Sequence, residues 1–216
     1  MLENGFELIE NFISSMEIEE LLEEITPLVS MGVSGSIRNI EKKSKKIYEY
    51  SRSNKVIDSI SQYLPGHPRL TRAIFFNKTA DKNWLVTWHQ DKTVAVSEKF
   101  NVPGWGPWST KDGVLHVQPP VDVLNQMVTL RLHLDDTNLE NGCLKVLPNS
   151  HQQGILSQSA LSEYVSKNKT FSCIANKGAA LIMRPHLIHS SAKGSRPSQR
   201  RILHLEYGSY HLPPGS

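Results

Sequence analysis

The sequence is short of sulfur, of long apolar runs and of charge of one sign. Its 216 residues include two cysteines, Cys143 and Cys173. Two thiols in a chain of this length read as small apolar residues in a reducing compartment, not as a disulfide framework. No apolar run nears the roughly 18 residues that a bilayer-crossing helix needs, so no membrane partner is expected. The start, Met1-Leu2-Glu3-Asn4-Gly5, has no basic segment followed by an apolar one, which speaks against a secretory signal. The expectation is a soluble cytoplasmic protein. A net charge of +3 gives no support for a nucleic-acid footprint. The densest basic run, Lys42-Lys43-Ser44-Lys45-Lys46, lacks a helical basic face and reads as a solvated loop. Internal repeats and low-complexity segments are absent.

What is present is an ordinary globular composition, 38% hydrophobic and 21% charged, which excludes a disordered chain and allows one substantial core. Gly5 to Ile9 alternates like a short strand. Ser14 or Ser15 then caps a helix with one apolar stripe, Ile18, Leu21, Leu22, Ile25, Leu28 and Val29. Met31 to Ser36 ends it. A second helix is expected from Ser53 to Tyr63, stopped by Pro65-Gly66. From Leu70 onward, short runs rich in Val, Ile, Leu, Phe and Thr alternate with turn residues. The runs are 72–77, 85–90, 127–134, 145–147, 171–174, 179–183, 187–190 and 202–207. The expected fold is mainly β with flanking helices, a double-stranded β-helix (jelly roll, cupin-like). One domain is expected, helical over about 1–68 and jelly roll over about 69–210. Within it, Thr129 to Asp135 puts Leu130, Leu132 and Leu134 on one face and Thr129, Arg131, His133 and Asp135 on the other. The polar face lies either in solvent or in a cavity.

Three side chains carry most of the chemical information. His89 and Asp91, two apart in Trp88-His89-Gln90-Asp91, project to the same face of a strand. His189, in Leu187-Ile188-His189-Ser190-Ser191, must arrive from a neighbouring strand. Two imidazoles and one carboxylate hold non-haem Fe(II) on one face, with Mn(II), Co(II) and Zn(II) as competitors. A His-x-Asp pair alone is a weak signal in a chain with nine histidines. The neighbouring motifs strengthen it: Asn141-Gly142, Pro148-Asn149-Ser150-His151, and Arg200 eleven residues beyond His189.

Together, His89-Gln90-Asp91, Asp135-Asp136 with Asn141-Gly142, the Pro148 to His151 turn, His189-Ser190-Ser191 and Arg200 resemble the phytanoyl-CoA dioxygenase family of Fe(II)- and 2-oxoglutarate-dependent oxygenases. The resemblance covers roughly residues 70 to 207. Asn149 stands where the family usually has glycine, and asparagine also tolerates a left-handed backbone. The resemblance implies His89, Asp91 and His189 as metal ligands, leaving two positions for the keto-acid end of 2-oxoglutarate and one for O2. It implies that Arg200, helped by Ser191, binds the far carboxylate, since a guanidinium pairs bidentately with such a group. Arg201 faces the other way by alternation, although a bulge would exchange the two. Asp91 disfavours halogenation, because related halogenases carry Gly or Ala there.

Several further residues can be assigned only as alternatives. Lys92 to Pro120 reads as a long loop in which Trp105 and Trp108 either cover a substrate or anchor the loop to the core. Arg131 and His133 are candidate substrate contacts, and Lys78 a weaker one. His151 and His186 read as structural, and His204 either lines the barrel end or is an ordinary satisfied core histidine. The expected reaction is hydroxylation of a small-molecule substrate with release of succinate and CO2. The alternatives are a non-catalytic metal- or ligand-binding jelly roll, or a hydroxylase of protein or nucleic-acid side chains.

Overall fold

In the computed structural model, residues 2–30, 35–111, 113–196 and 198–213 are described. The N-terminal part runs β1 (Phe6–Ile9), α1 (Ser15–Ser30), β2 (Ser36–Arg38), α2 (Lys45–Ser51) and α3 (Asn54–Ser61). Next come β3 (Arg69–Lys78), β4 (Val86–His89), β5 (Val94–Val96), β6 (Trp108–Lys111), β7 (Val114–Val117) and α4 (Val121–Leu124). The chain continues through β8 (Met127–His133), β9 (Leu144–Val146), α5 (Gln158–Lys167), β10 (Phe171–Cys173), β11 (Ala180–Met183), β12 (His189–Ser191) and β13 (Arg200–Gly208).

These strands form the two facing layers of a jelly roll. The larger sheet has the order β1-β11-β8-β13-β3-β2 and the smaller the order β10-β9-β12-β4. Pairing is antiparallel, and neighbours in space are often distant in sequence. Thus β13 pairs with β3 from Arg200 opposite Lys78 to Gly208 opposite Arg69. Period-two alternation decides what each face of the large sheet meets. Leu130, Leu132, Leu203, Leu205 and Phe75 pack outward against Ile18, Leu21 and Ile25 of α1 and against Ile47, Val56 and Ile60. The helices therefore seal the outer face, and the polar side chains of the same strands turn inward. At one end of the space between the sheets, Leu144, Val146, Cys173, Leu181, Met183 and Leu187 fill the interior with Phe6 and Leu8. Cys143 and Cys173 are both buried and free.

The start of α1 is a reciprocal cap. The Glu17 amide donates to Ser14 Oγ at 3.2 Å, and the Ser14 amide donates to Glu17 Oε2 at 2.8 Å. The cap is thus Ser14, not Ser15. The end of α1 expected at Met31 to Ser36 falls largely on residues 31–34, outside the described residues. The basic run expected to be a loop instead straddles a turn and a helix. Ser44 accepts from the Ile47 amide at 3.2 Å, capping α2, and donates to Glu24 at 2.8 Å. A good cap and a buried Ile47 outweigh the run's polarity, while the lysines themselves remain near solvent.

The stretch from Lys92 to Pro120 also differs from expectation. It contains a small antiparallel sheet, β5-β7-β6, with Trp108 opposite Val117. Strands of three or four residues between Gly and Pro clusters leave too little alternation to recognise in sequence. Strand β12 begins two residues later than expected, because a turn closed by the Leu187 amide on the Arg184 carbonyl at 3.2 Å precedes it. No helix among the described residues is long and apolar enough to cross a membrane.

Since α1 is held to the sheet by fully buried aliphatic side chains, Leu21→Ala should lower stability by about 2–5 kcal/mol in a urea titration. A loss under about 1 kcal/mol would mean that the helix is not docked as described.

Candidate metal centre

Strand pairing brings the two distant histidines together. His189 on β12 lies directly opposite His89, the last residue of β4, and their rings are 4.2 Å apart. Asp91 follows two residues later on the same side, and its amide donates to the Pro185 carbonyl at 3.0 Å. The side chain between them points away. Gln90 donates to the Gly154 and His186 carbonyls at 2.7 and 2.8 Å and accepts from the Leu156 amide at 2.9 Å. The glutamine of the His-Gln-Asp motif thus fastens the ligand strand to the 154–156 segment while its neighbours face the cavity.

His89, Asp91 and His189 each aim one ligand atom at a common point, and these atoms lie within 4.8 Å of one another. His89 Nε2 is 3.7 Å from Asp91 Oδ1, and His189 Nε2 is 3.5 Å from Asp91 Oδ2. The other ring nitrogens are taken: Nδ1 of His89 lies 2.8 Å from the Thr87 carbonyl and Nδ1 of His189 lies 2.7 Å from the Leu187 carbonyl. A carbonyl only accepts, so each Nδ1 carries a proton, and a ring in its neutral form turns its Nε2 lone pair toward Asp91. Burial, then the neighbouring His189, hold His89 below its ordinary pKa and favour this neutral form. For Asp91 burial opposes ionisation, but His189 and then His89 outweigh it and keep the carboxyl well below the usual carboxylate range. A divalent cation among the three groups would take the place of the Nε2 protons and leave two lone pairs and a carboxylate as its donors. Two imidazoles with one carboxylate fit a borderline divalent ion such as Fe(II).

Next to this group, Arg200 and Ser191 share a carbonyl. Arg200 donates to the Gly142 carbonyl, Ser191 Oγ donates to the same oxygen at 2.8 Å, and Lys78 donates to Ser191 Oγ at 3.1 Å. Gly142 has φ +72°, and a Cβ there would stand 2.2 Å from the Ala192 carbonyl oxygen. Only glycine lets that loop approach so closely. Asn141 holds the loop, accepting from the Asn138 amide and donating to the Asp136 carbonyl, each at 2.8 Å. Arg200 is buried, pairs with no carboxylate among the described residues, and keeps an unpartnered Nε. Burial, then Arg131, bring its pKa down to about 10. Arg201 is spent elsewhere, pairing with Asp135 through Nε at 2.8 Å and Nη2 at 2.6 Å. Of the two arginines, Arg200 is the one that faces the cavity.

The cavity has a volume of about 290 Å³ and lies between the sheets, with the ligand group, Arg200, Ser191 and Arg131 in its wall. Arg131 meets His204 Nδ1 at 2.7 Å and lies over Phe76. The polar face of β8 therefore points inward. His133 does not reach the cavity: its Nδ1 is held by Thr137 at 3.1 Å, and burial, then Arg131, lower its pKa to about 3. Trp105 and Trp108 do not line the cavity either. Each packs edge-on against Phe100 at 5.1 Å, in an apolar cluster with Val94, Val117 and Leu124, so their rings anchor the small sheet. His151 and His186 meet edge-on at 6.0 Å and do not line the cavity, and Asn149 adopts the left-handed conformation that its turn requires, at φ 66°. His204 does line the cavity and bonds Glu206 at 3.1 Å. Sequence reasoning missed Arg72, Lys111, Phe76 and Trp84, which also line it. For Arg72 and Phe76 the period-two pattern of β3 was a usable signal, because Phe75 between them is a core residue.

Comparison with known proteins bears on the family and the fold. No curated protein sequence matches the chain. Similar solved structures include HygX from Streptomyces hygroscopicus with nickel and 2-oxoglutarate bound, at 16% identity and TM-score 0.69, covering 95% of this chain and 83% of that one. AviO1 from Streptomyces viridochromogenes Tue57 aligns at 19% identity and TM-score 0.72, over 99% of this chain and 93% of that one. EctD from S. alaskensis with bound Fe aligns at 16% identity and TM-score 0.71, over 95% and 73%. At such identities these likenesses speak to the fold. The family model described as phytanoyl-CoA dioxygenase matches residues 1–202. The chain belongs to the phytanoyl-CoA dioxygenase family, a family of iron- and 2-oxoglutarate-dependent oxygenases.

Proposed function

We propose that this single-domain protein hydroxylates a small-molecule metabolite, with His89, Asp91 and His189 holding Fe(II) and Arg200 with Ser191 holding the far carboxylate of 2-oxoglutarate. The observation that carries this reading is one juxtaposition. Three convergent donor groups suited to a cation lie in the same cavity as a buried guanidinium that pairs with no carboxylate among the described residues. With iron held there, O2 would be the oxidant for two partners at once, one oxygen atom going to succinate as 2-oxoglutarate loses CO2 and the other to a substrate C–H bond that becomes C–OH.

The chain's own residues position and protect. The Thr87 and Leu187 carbonyls fix both imidazoles with Nε2 inward, which keeps the donor set organised before any ion binds. Arg200, held by the Gly142 carbonyl, presents a planar pair of donors at a set distance from Asp91. Ser191 accepts from Lys78, whose pKa burial and then Arg200 lower to about 8, so positive charge gathers where a carboxylate would sit. Ile74, Phe76, Trp84, Val86 and Leu144 supply the apolar wall that limits water. The cavity volume of about 290 Å³ suits a small substrate beside the co-substrate.

Asp91→Ala should weaken Mn(II) binding, measured by titration calorimetry, by more than the roughly 10–100-fold that removing an outer partner of a ligand costs. Its succinate release should disappear while the fold persists; wild-type metal affinity in this variant would remove Asp91 from the ligand set. Arg200→Met should raise the KM for 2-oxoglutarate about tenfold to a hundredfold, with Mn(II) affinity little changed. An unaltered KM would reassign the carboxylate to another group.

A further inference from the structure

Among the described residues Lys78 is the one buried lysine, and it ends β3 directly opposite Arg200, the first residue of β13. Its side chain donates to Ser191 Oγ at 3.1 Å and to the Ala192 carbonyl at 2.6 Å, and Nζ lies 5.5 Å from the centre of the Trp84 ring. Neither Lys78 nor Arg200 pairs with a carboxylate among the described residues, and Asp135 is taken by Arg201. Lys78 thus joins the end of β12 to β3, immediately behind the two side chains assigned to the far carboxylate of 2-oxoglutarate.

Two positive groups side by side in a desolvated corner are unfavourable, and the amine, which holds its proton less tightly than a guanidinium, is the one that gives way. Burial, and then Arg200, act on Lys78 in that direction. Its other neighbours add no charge. Ser191 from β12 and Trp84 from the segment before β4 do not ionise, Gly142 has no side chain, and burial pushes the adjoining Cys143 thiol up, away from ionisation. Losing the proton would not dismantle the corner. A neutral amine keeps two N–H bonds, as many as Lys78 uses on Ser191 and Ala192. Ser191 gives its own proton to the Gly142 carbonyl at 2.8 Å, so its oxygen goes on accepting. The scaffold outlasts the charge.

We propose, building on the function given above, that Lys78 is a positioning residue that ties co-substrate binding to proton uptake: 2-oxoglutarate binds best when a Lys78 ammonium stands behind Ser191 and Arg200, and is released as that ammonium loses its proton. The far carboxylate supplies the anion that this pair of cations lacks, and so draws a proton onto Lys78. By linkage, a rise in pH draws the co-substrate off. The sign follows from the free site, where the Lys78 pKa is about 8: the charge is in place below that value and fades above it, while Arg200, at about 10, stays charged through the same range.

The test uses the full chain loaded with Mn(II) under nitrogen and titrated with 2-oxoglutarate at several pH values from 7 to 9, in two buffers of different ionisation heat. With the ion in place the ligand imidazoles have no Nε2 proton to exchange. The wild-type protein should take up about half a proton per 2-oxoglutarate near pH 8.5, and its affinity should fall about threefold to tenfold from pH 7 to pH 9. Lys78→Arg, which keeps the charge, should show no uptake and bind equally well across the range. Lys78→Met should also lose the uptake, and at pH 7 it should bind at least about threefold more weakly than wild type. Loss of uptake in whichever variant folds supports the proposal. No uptake by the wild-type protein overturns it, and so does a folded variant that keeps the wild-type uptake, since Lys78 would then serve the scaffold alone. Absence of 2-oxoglutarate binding by the Mn(II)-loaded wild-type protein at every pH would instead sink the functional reading on which it rests.

Discussion

The pairing of β4 with β12 is the contact on which the rest of the site depends. One antiparallel register sets His89 opposite His189, and the alternation of β4 carried one step past its end adds Asp91 to the same side. Shifting that pairing by a single residue would turn one imidazole toward the other face and disperse the donors. The surroundings hold the register from both directions. Gln90 ties the ligand strand to the 154–156 backbone, and Ser150 accepts from the Ile188 amide at 2.8 Å beside the second histidine. On the outer side Trp88, Ile188, Leu147 and Leu161 of α5 pack together, so every other residue of these strands belongs to a core. A precise donor set thus rests on ordinary hydrophobic packing behind it.

Electrostatics divide the interior into two regions. Near Arg200 the positive charge is set in a dense net of carbonyls and hydroxyls, from Gly142, Ser191, Ala192 and Lys78. Across the cavity the cations of β3 and β8 share Glu206 and His204. Buried polar groups of this sort do not stabilise a fold well by themselves. The helices and leucines on the outer face of the large sheet supply the stability that lets the inner face remain polar.

Much of this was readable from the chain, and what was missed has a physical reason. His89 and Asp91 are a short-range pair whose geometry follows from the pleat alone, and Ser14 and Glu17 announce their cap in the same local way. Alternation favoured Arg200 over Arg201 but left a bulge open, and the pairing of Arg201 with Asp135 became visible only in the fold. By contrast, Lys111 reaches the cavity only because a three-stranded sheet folds over its edge, and no local pattern reports that. The same sheet explains Trp105 and Trp108: Gly and Pro on either side suggested a loop, yet the rings close a small core with Phe100. In α2, a run of lysines concealed a helix whose evidence was a capping serine and one isoleucine.

Strand β13 has an implication for how such a protein can change over time. Arg200, His204 and Glu206 alternate along its inner side, so the residue that would anchor one acid and those that arrange the opposite wall are beads on a single extended rod. Six steps of an antiparallel strand measure about 20 Å, and neither insertion nor deletion is tolerated within it without inverting everything downstream. The strand acts as a fixed ruler between the two ends of the chamber. New preferences can therefore arise by exchanging side chains at its marks or by remodelling the flap that carries Lys111, but the spacing itself is inherited.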